Sequence, residues 1–376
     1  MRKWIPVAAA LAVGLVSGTA NAALEPFQSF VGNYGVSSDG FGSTGNTGTI
    51  SAEIPAGSTI VAAYLYSATY STTGAPTASL NGTAAVYGPR VGNDTACCSL
   101  ASFRADVTST VAAAYDGSGG IYDFAYDEGA NGSRTDGSAL VVVYENASLP
   151  TSTVGILDGW ASVTGDTTSI NFAEALDPTA SGFFAEMRLG INFSCCSQRS
   201  TVDVNGQRIT ENAGNYDDGE QRANGSLFTM GGFDDPFSPD NPSYEDDHER
   251  YDLRAYIDEG DTTIRIDTAN ASRDDNIFLA LFYTSGEAGI NEPPPDPGPC
   301  PAPAADARQS SAACEGPSPD PRPVPEPGTL LMMGLGLIGI GAARRRRRGS
   351  AKSDSARGTT TGVRPVLAPV ASFVQH

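Results

Sequence analysis

The chain repeats itself, and the repeat limits the fold more than any other feature. "NGSRTDGSALVVVYE" starts at Asn131 and "NASRDDNIFLALFYT" at Asn270. Asn131/Asn270, Ser133/Ser272, Arg134/Arg273, Asp136/Asp275 and Tyr144/Tyr283 stand at equal offsets. The apolar run between Asp and Tyr is long enough for a buried strand. Upstream, "AAYLYSATYS" loosely matches "AEMRLGINFS", and each is followed by Asn-Gly, in "LNGT" at Leu80 and "VNGQ" at Val204. Leu65 to Leu80 and Leu189 to Val204 both span 15 positions. Asn-Gly between strand-like runs favours a type I′ turn, whose two central residues need positive φ. "FRADVTSTV" and "YDLRAYIDEG" then follow in the same order. Three markers in one order define two copies of one unit.

From Leu24 to Ser285, Gly, Ser, Thr, Asn and Asp punctuate short runs of Val, Ile, Tyr, Phe and Ala. The spacing predicts an all-β fold of two tandem β-sandwich (jelly-roll-like) units, at 23–158 and 159–285, lying side by side. The second unit carries an insertion at 211–250, rich in Asp, Glu, Gly, Pro and Asn, expected as a surface excursion. Thirteen of the 35 residues from Pro293 to Pro327 are proline, so 286–323 reads as a linker. Extended as polyproline II, such a stretch reaches on the order of 100 Å.

The N-terminus supplies the compartment. Arg2 and Lys3, the apolar run Ile5–Val16 and Ala20-Asn21-Ala22 have the layout of a secretory signal peptide over 1–22. Residues 23–327 hold 13 basic residues, all arginine, against 42 acidic ones, so the exported body is more acidic than the whole-chain charge of -20 indicates. Such a surface repels nucleic acid and suits divalent cations, basic partners or hydrated polysaccharide. The six cysteines of an exported chain are expected in disulfides: Cys97, Cys98, Cys195, Cys196, Cys300 and Cys314. Cys300 is expected to pair with Cys314. The doublets either bridge to each other or close vicinal disulfides, and the sequence does not choose.

Catalytic residue types are sparse. The two histidines are His248, inside the acidic insertion, and His376, which argues against a Ser-His-Asp arrangement. A carboxylate pair acting on a glycosidic bond needs no histidine, so a glycan-active hydrolase remains the alternative function. Calcium is the one cofactor the sequence suggests, because crowded carboxylates need counter-charge. Its candidate ligands are Asp234, Asp235, Asp240, Asp246 and Asp247; the plainer reading is a solvated acidic loop. Asp136 and Asp275 form a second candidate, against a reading in which each pairs with Arg134 or Arg273. Tyr64, Tyr66, Tyr70, Tyr122, Tyr126 and Trp160 suggest either a sugar-stacking face or ordinary strand residues.

"VPEPGTLLMMGLGLIGIGAARRRRR" closes the sequence argument. The apolar run Thr329–Ala343 makes a helix of about 22 Å, short of the roughly 30 Å hydrocarbon core. Five arginines behind it stay on the cytoplasmic side, so the acidic body lies outside. Val324-Pro325-Glu326-Pro327, a short apolar helix and an arginine cluster in that order resemble the PEP-CTERM sorting signal, at 324–348. The resemblance implies a Gram-negative exporter, processing near Pro325, Glu326 and Pro327 by an exosortase-type enzyme, and a transient hold in the inner membrane. Arg344, Arg345, Arg346, Arg347 and Arg348 then form the retention cluster, ahead of a tail at 349–376 expected to be disordered. Asp136-Gly137 and Ala139–Glu145 also faintly resemble uncharacterised β-sandwich modules of bacterial surface proteins. The expected function is a structural or adhesive one at the cell surface or in an exopolysaccharide, biofilm-type matrix, with glycan as a possible contact.

Overall fold

The computed structural model describes residues 24–295, apart from 43–44, 71–73, 95–99, 163, 193–199, 214–227, 236–248 and 271–275. The chain enters through β1 (Leu24–Gly32). The first repeat follows as β2 (Tyr34–Phe41), β3 (Thr47–Ile54), β4 (Thr59–Thr69), β5 (Ser79–Leu80), β6 (Thr83–Ala84), β7 (Gly92–Asp94), β8 (Leu100–Asp106), the short helix α1 (Thr108–Ala114), β9 (Gly120–Asp127) and β10 (Thr135–Glu145). The second runs β11 (Ser152–Gly159), β12 (Asp166–Phe172), β13 (Ala185–Asn192), β14 (Ser200–Val204), β15 (Gln207–Ala213), β16 (Phe228–Met230), β17 (Arg250–Asp252), β18 (Thr263–Asn270) and β19 (Asn276–Ser285), and β20 (Ala288–Ile290) closes it.

The strands form antiparallel sheets whose order repeats. In the first half one sheet runs β2-β10-β4-β8-β7 and the other β3-β9-β5-β6. In the second half β11-β19-β13, with β16 and β17 both on β13, faces β12-β18-β14-β15. The all-β expectation holds, and the repeat read from sequence is a repeat of topology. β1 extends the second half's sheet by pairing with β11, and β20 pairs with β12. The position 158/159 falls at the end of β11, the strand that pairs with both β1 and β19.

The Asn-Gly turns show why those residues stand there. Asn81 and Gly82 have φ of 49° and 72°, Asn205 and Gly206 49° and 78°, as a type I′ turn requires. Each asparagine also grips the neighbouring strand. Asn81 N donates to Ala125 O at 2.7 Å while its Oδ1 accepts Ala125 N at 2.8 Å. Asn205 N donates to Arg265 O at 2.8 Å and its Oδ1 accepts Arg265 N at 2.9 Å.

Three apolar cores separate four layers. Ile50, Phe124, Leu65, Leu140 and Val142 fill the first half's sandwich. Leu157, Leu189, Ile264, Ile266 and Phe282 fill the second. A third core joins the halves through Tyr66, Val141, Val143, Ile156, Phe278 and Leu281. Alternation explains it, because successive side chains of a strand point to opposite faces. On β10, Leu140 and Val142 face one core while Val141 and Val143 face another. On β19, Ala280 and Phe282 face one, Leu279 and Leu281 the other. The two halves therefore stack face to face rather than merely hiding edges side by side. A strand apolar on both faces has no wet side to offer.

Candidate functional site

At one place the seam between the halves is polar, and it contains two of the predicted metal ligands. After β16 the chain runs through Gly231, Gly232, Phe233, Asp234 and Asp235, beside Ser37-Ser38-Asp39 of β2. Phe233 N donates to Ser38 O at 2.9 Å, and Ser38 Oγ donates to Gly231 O at 2.7 Å. A Cβ on Gly231 would run into Glu249 O, so this approach needs glycine. Arg188, 4% exposed on β13, donates from Nη1 to Ser38 Oγ at 2.9 Å and from Nε to Glu186 Oε1 at 2.8 Å. Arg250 reaches Glu186 Oε2 from Nη2 at 3.3 Å and Phe233 O from Nη1 at 3.0 Å. Two arginines thus hold one buried glutamate, and the first half is tied in through Ser38. Buried ion pairs persist when further hydrogen bonds satisfy their atoms, as here.

Asp39 and Asp235 stand on opposite sides of this seam. Asp39 accepts the N–H of Gly40 on Oδ1 at 2.9 Å and that of Ser51 on Oδ2 at 2.5 Å. Burial pushes its carboxyl up to about 7, and the charge of Asp234 adds to this, against the Ser51 N–H. Burial also raises Asp235, helped by Asp234 and Asp39 and opposed by the Gly232 N–H and Arg250. Asp234 itself is exposed. Both Asp39 oxygens are thus engaged by backbone N–H groups.

The sequence reading named Asp234 and Asp235 and missed Asp39, which lies nearly two hundred residues away, whose carboxyl the charge of Asp234 helps to raise and which in turn helps to raise Asp235. Its one signal was three consecutive polar residues inside a strand. Asp240, Asp246 and Asp247 lie outside the described residues, and among the described residues no three metal-ligating side chains come together. The six cysteines, Asp275, Arg273 and the whole stretch from Pro325 to Arg348 also lie outside. Asp136 is fully buried at the start of β10, while the Arg134 side chain is exposed.

The tyrosines and Trp160 do not make one face. Tyr64, Tyr66 and Trp160 belong to the joining core and Tyr126 to the first sandwich, all nearly or fully buried. Tyr66 donates instead to Asp158 Oδ2 at 3.0 Å, and Arg104 pairs with the same carboxylate. A surface cavity of about 460 Å³ opens elsewhere, where the chain leaves β20. Phe172, Leu176 and Phe183 line it, with Glu174, Asp177 and Glu287. Hydrogen bonds from Thr179 hold the Asp177 carboxyl below its ordinary range.

Among the described residues no helix is long and apolar enough to cross a membrane. No curated protein sequence matches the chain. A crystal structure of a BuGH86 variant in complex with neoagarooctaose aligns over 73% of this chain and 35% of its own, at 9% identity and a TM-score of 0.21. At that score the likeness carries no argument about fold or activity. Residues 323–348 match the PEP-CTERM protein-sorting motif, which covers the Pro-Glu-Pro triplet, the apolar run and the five arginines. A sorting motif of this kind implies an exported protein that an exosortase sorts through its C-terminus.

Proposed function

We propose that the protein is a structural or adhesive component of the surface or exopolysaccharide matrix of a Gram-negative bacterium. Its C-terminus is held briefly in the inner membrane and processed near Pro325-Glu326-Pro327 by an exosortase-type enzyme. The observation that carries this reading is the sorting motif behind a four-layer β body, separated by a proline-rich spacer. The body supports it through rigidity: both central sheets are buried on two faces, which suits a load-bearing head. The cavity lined by Phe172, Phe183, Glu174 and Asp177 combines apolar and acidic side chains, which supports a reading of glycan contact there.

The cysteine doublets fit the same picture. Residues 95–99 lie between Asp94 of β7 and Leu100 of β8, and 193–199 between Asn192 of β13 and Ser200 of β14. β7 packs on Gly159 and Trp160, and Asn192 pairs with Asn276, whose neighbour Ile277 accepts Ala161 N. The strand ends that flank the two doublets thus lie at the same end of the stacked central sheets, which supports bridges from Cys97-Cys98 to Cys195-Cys196. Fractionation with intact mass tests the sorting. Release of a chain lacking Arg344–Arg348 is expected, and a surface form still carrying them would overturn processing. Retention on the producing cell's own exopolysaccharide, above an inert glycan, tests the adhesive role.

A further inference from the structure

The two Asn-Gly turns share a conformation but not a setting. Asn205 is half-buried, and both ends of its side-chain amide are held. Its Oδ1 accepts Arg265 N at 2.9 Å, while its Nδ2 donates to Tyr256 O at 2.9 Å and to Asp261 Oδ2 at 3.3 Å. The hairpin behind it is long, with 5 residues in β14 and 7 in β15, and β14 also pairs with β18. Asn81 is exposed, and its amide is held at one end, where Oδ1 accepts Ala125 N at 2.8 Å. Among the described residues no acceptor meets its Nδ2. Beside it, toward α1, a surface cavity of about 370 Å³ bordered by Thr83, Ser109 and Thr110 gives the amide room to turn. The hairpin here is β5 and β6, of 2 residues each, and both residues of β6 are exposed. At the edge of its sheet β6 pairs with β5. Short, exposed elements of this kind open locally at little cost.

An asparagine followed by glycine is open to attack by its own backbone. The Gly82 amide nitrogen gives up its proton and bonds to Asn81 Cγ. The Cγ–Nδ2 bond breaks, and Nδ2 leaves as ammonia with that proton. The cyclic imide so formed takes up one water, the sole co-reactant. Opening at Cγ gives aspartate, and opening at the main-chain carbonyl gives isoaspartate. Glycine puts no Cβ beside the attacking nitrogen, and around Gly82 and Gly206 alike even an added Cβ would meet nothing. The difference between the turns therefore rests with the asparagines. Attack requires Oδ1 to leave its strand partner and the turn's backbone to shift. Asn81 gives up one side-chain bond to do so, and Asn205 gives up three. We propose that Asn81 is a site of spontaneous deamidation in the folded protein and that Asn205, its equivalent in the second repeat, is protected. The products differ in consequence. Aspartate at 81 still offers an oxygen to Ala125 N. Isoaspartate adds a methylene to the main chain inside a two-residue turn, which frees β6 from the sheet edge.

The test holds the folded exported body at mildly alkaline pH and follows both turns by peptide mass after reduction and digestion. Conversion is read as the mass gained when an amide becomes an acid, with the aspartate and isoaspartate peptides resolved by chromatography. Asn131 and Asn224 also precede glycine and are followed on their own peptides. Asn81 should convert at least about tenfold faster than Asn205, as the two additional hydrogen bonds on Asn205 require. In urea with reductant the two should convert at similar rates, since both are Asn-Gly and neither is then held. Equal rates in the folded protein overturn the proposal. So does an Asn81 that stays intact in the folded protein while the unfolded chain converts. A preference for Asn81 that persists undiminished in urea overturns it as well, because the difference would then belong to the local sequence and not to the turns.

Discussion

The paired acids of the seam make stability depend on pH in an unusual direction. Asp39 has a carboxyl raised from 3.8 to about 7, and Asp235 moves the same way. A raised folded-state value means the native protein holds the proton more tightly than the unfolded chain. That stabilisation is complete below the unfolded value and is lost as pH rises through about 7. About three units at 1.36 kcal/mol each set a ceiling of about 4 kcal/mol for Asp39. Partial solvent access and the competing N–H groups reduce this to about 1–2 kcal/mol over the window. The clean perturbation is Asp234→Asn, because exposed Asp234 raises both carboxyls by charge and makes no hydrogen bond to either. An exposed charge acts through high dielectric, so its removal is worth about 0.5–1 kcal/mol at pH 8.5 and little at pH 5.5. Urea midpoints at pH 5.5, 7.0 and 8.5, with chelator present, read this directly. Wild type should lose stability across the series, and the variant should lose less. Parallel curves, or a variant less stable than wild type at pH 8.5, would refute the assignment of Asp234 as the source of repulsion. A calcium ion on Asp234 and Asp235 would show differently, as recovery of wild-type stability when chelator is replaced by calcium.

Removing Arg188 as Arg188→Met should cost about 3–5 kcal/mol, because Glu186 stays buried with only Arg250 to hold it. Chemical denaturation should also show Ser38→Ala losing less than this, as one shared hydroxyl is removed. Asn205→Ala should cost about 1–2 kcal/mol, since it forfeits both an easy positive φ and the bond from Arg265 N. Asn81→Ala should cost less by thermal melting, since Asn205 also donates from Nδ2 to Tyr256 O at 2.9 Å. Under non-reducing conditions, proteolysis should yield a peptide joining Cys97-Cys98 to Cys195-Cys196. Only intra-doublet links would remove the bridge reading.

What was legible in the sequence was legible because it repeats or alternates. The Asn-Gly pairs fixed two hairpins, since few residues tolerate positive φ at both turn positions. The equal offsets fixed a duplicated topology, and the structure returns the same strand order twice. Stacking was harder to see, though its signal was present in "ALVVVY" and "IFLALFY". A half-wet strand alternates apolar with polar, and these do not. Read for polarity rather than length, they already ask for cover on both sides. β1 is a different case. Nothing local to "LEPFQSFVG" says that it will extend the second repeat's sheet, because edge pairing depends on where the rest of the chain leaves an open strand. Leu24 and Phe30 pack into different cores, so its register answers to both halves rather than to its own sequence.

Function is divided along the same line. The sorting stretch is legible because a processing enzyme reads it as sequence, and a motif match recovers it from 26 residues. The acids of the body are read as positions in space. Asp234 and Asp235 drew attention by standing together, yet their partner Asp39 comes from the other half. Glu128 sat unremarked in "FAYDEGANG" because one acid among 42 carries no signal until burial removes its solvent. In a chain this acidic, composition hides the few carboxylates that matter. Exposed acids keep the head soluble and repel one another weakly through water. The buried ones, at the seam and at the β9–β10 turn, meet each other through protein, where the same charge must be answered by a proton, an arginine or a metal ion. At the seam Arg188 and Arg250 answer it by holding Glu186.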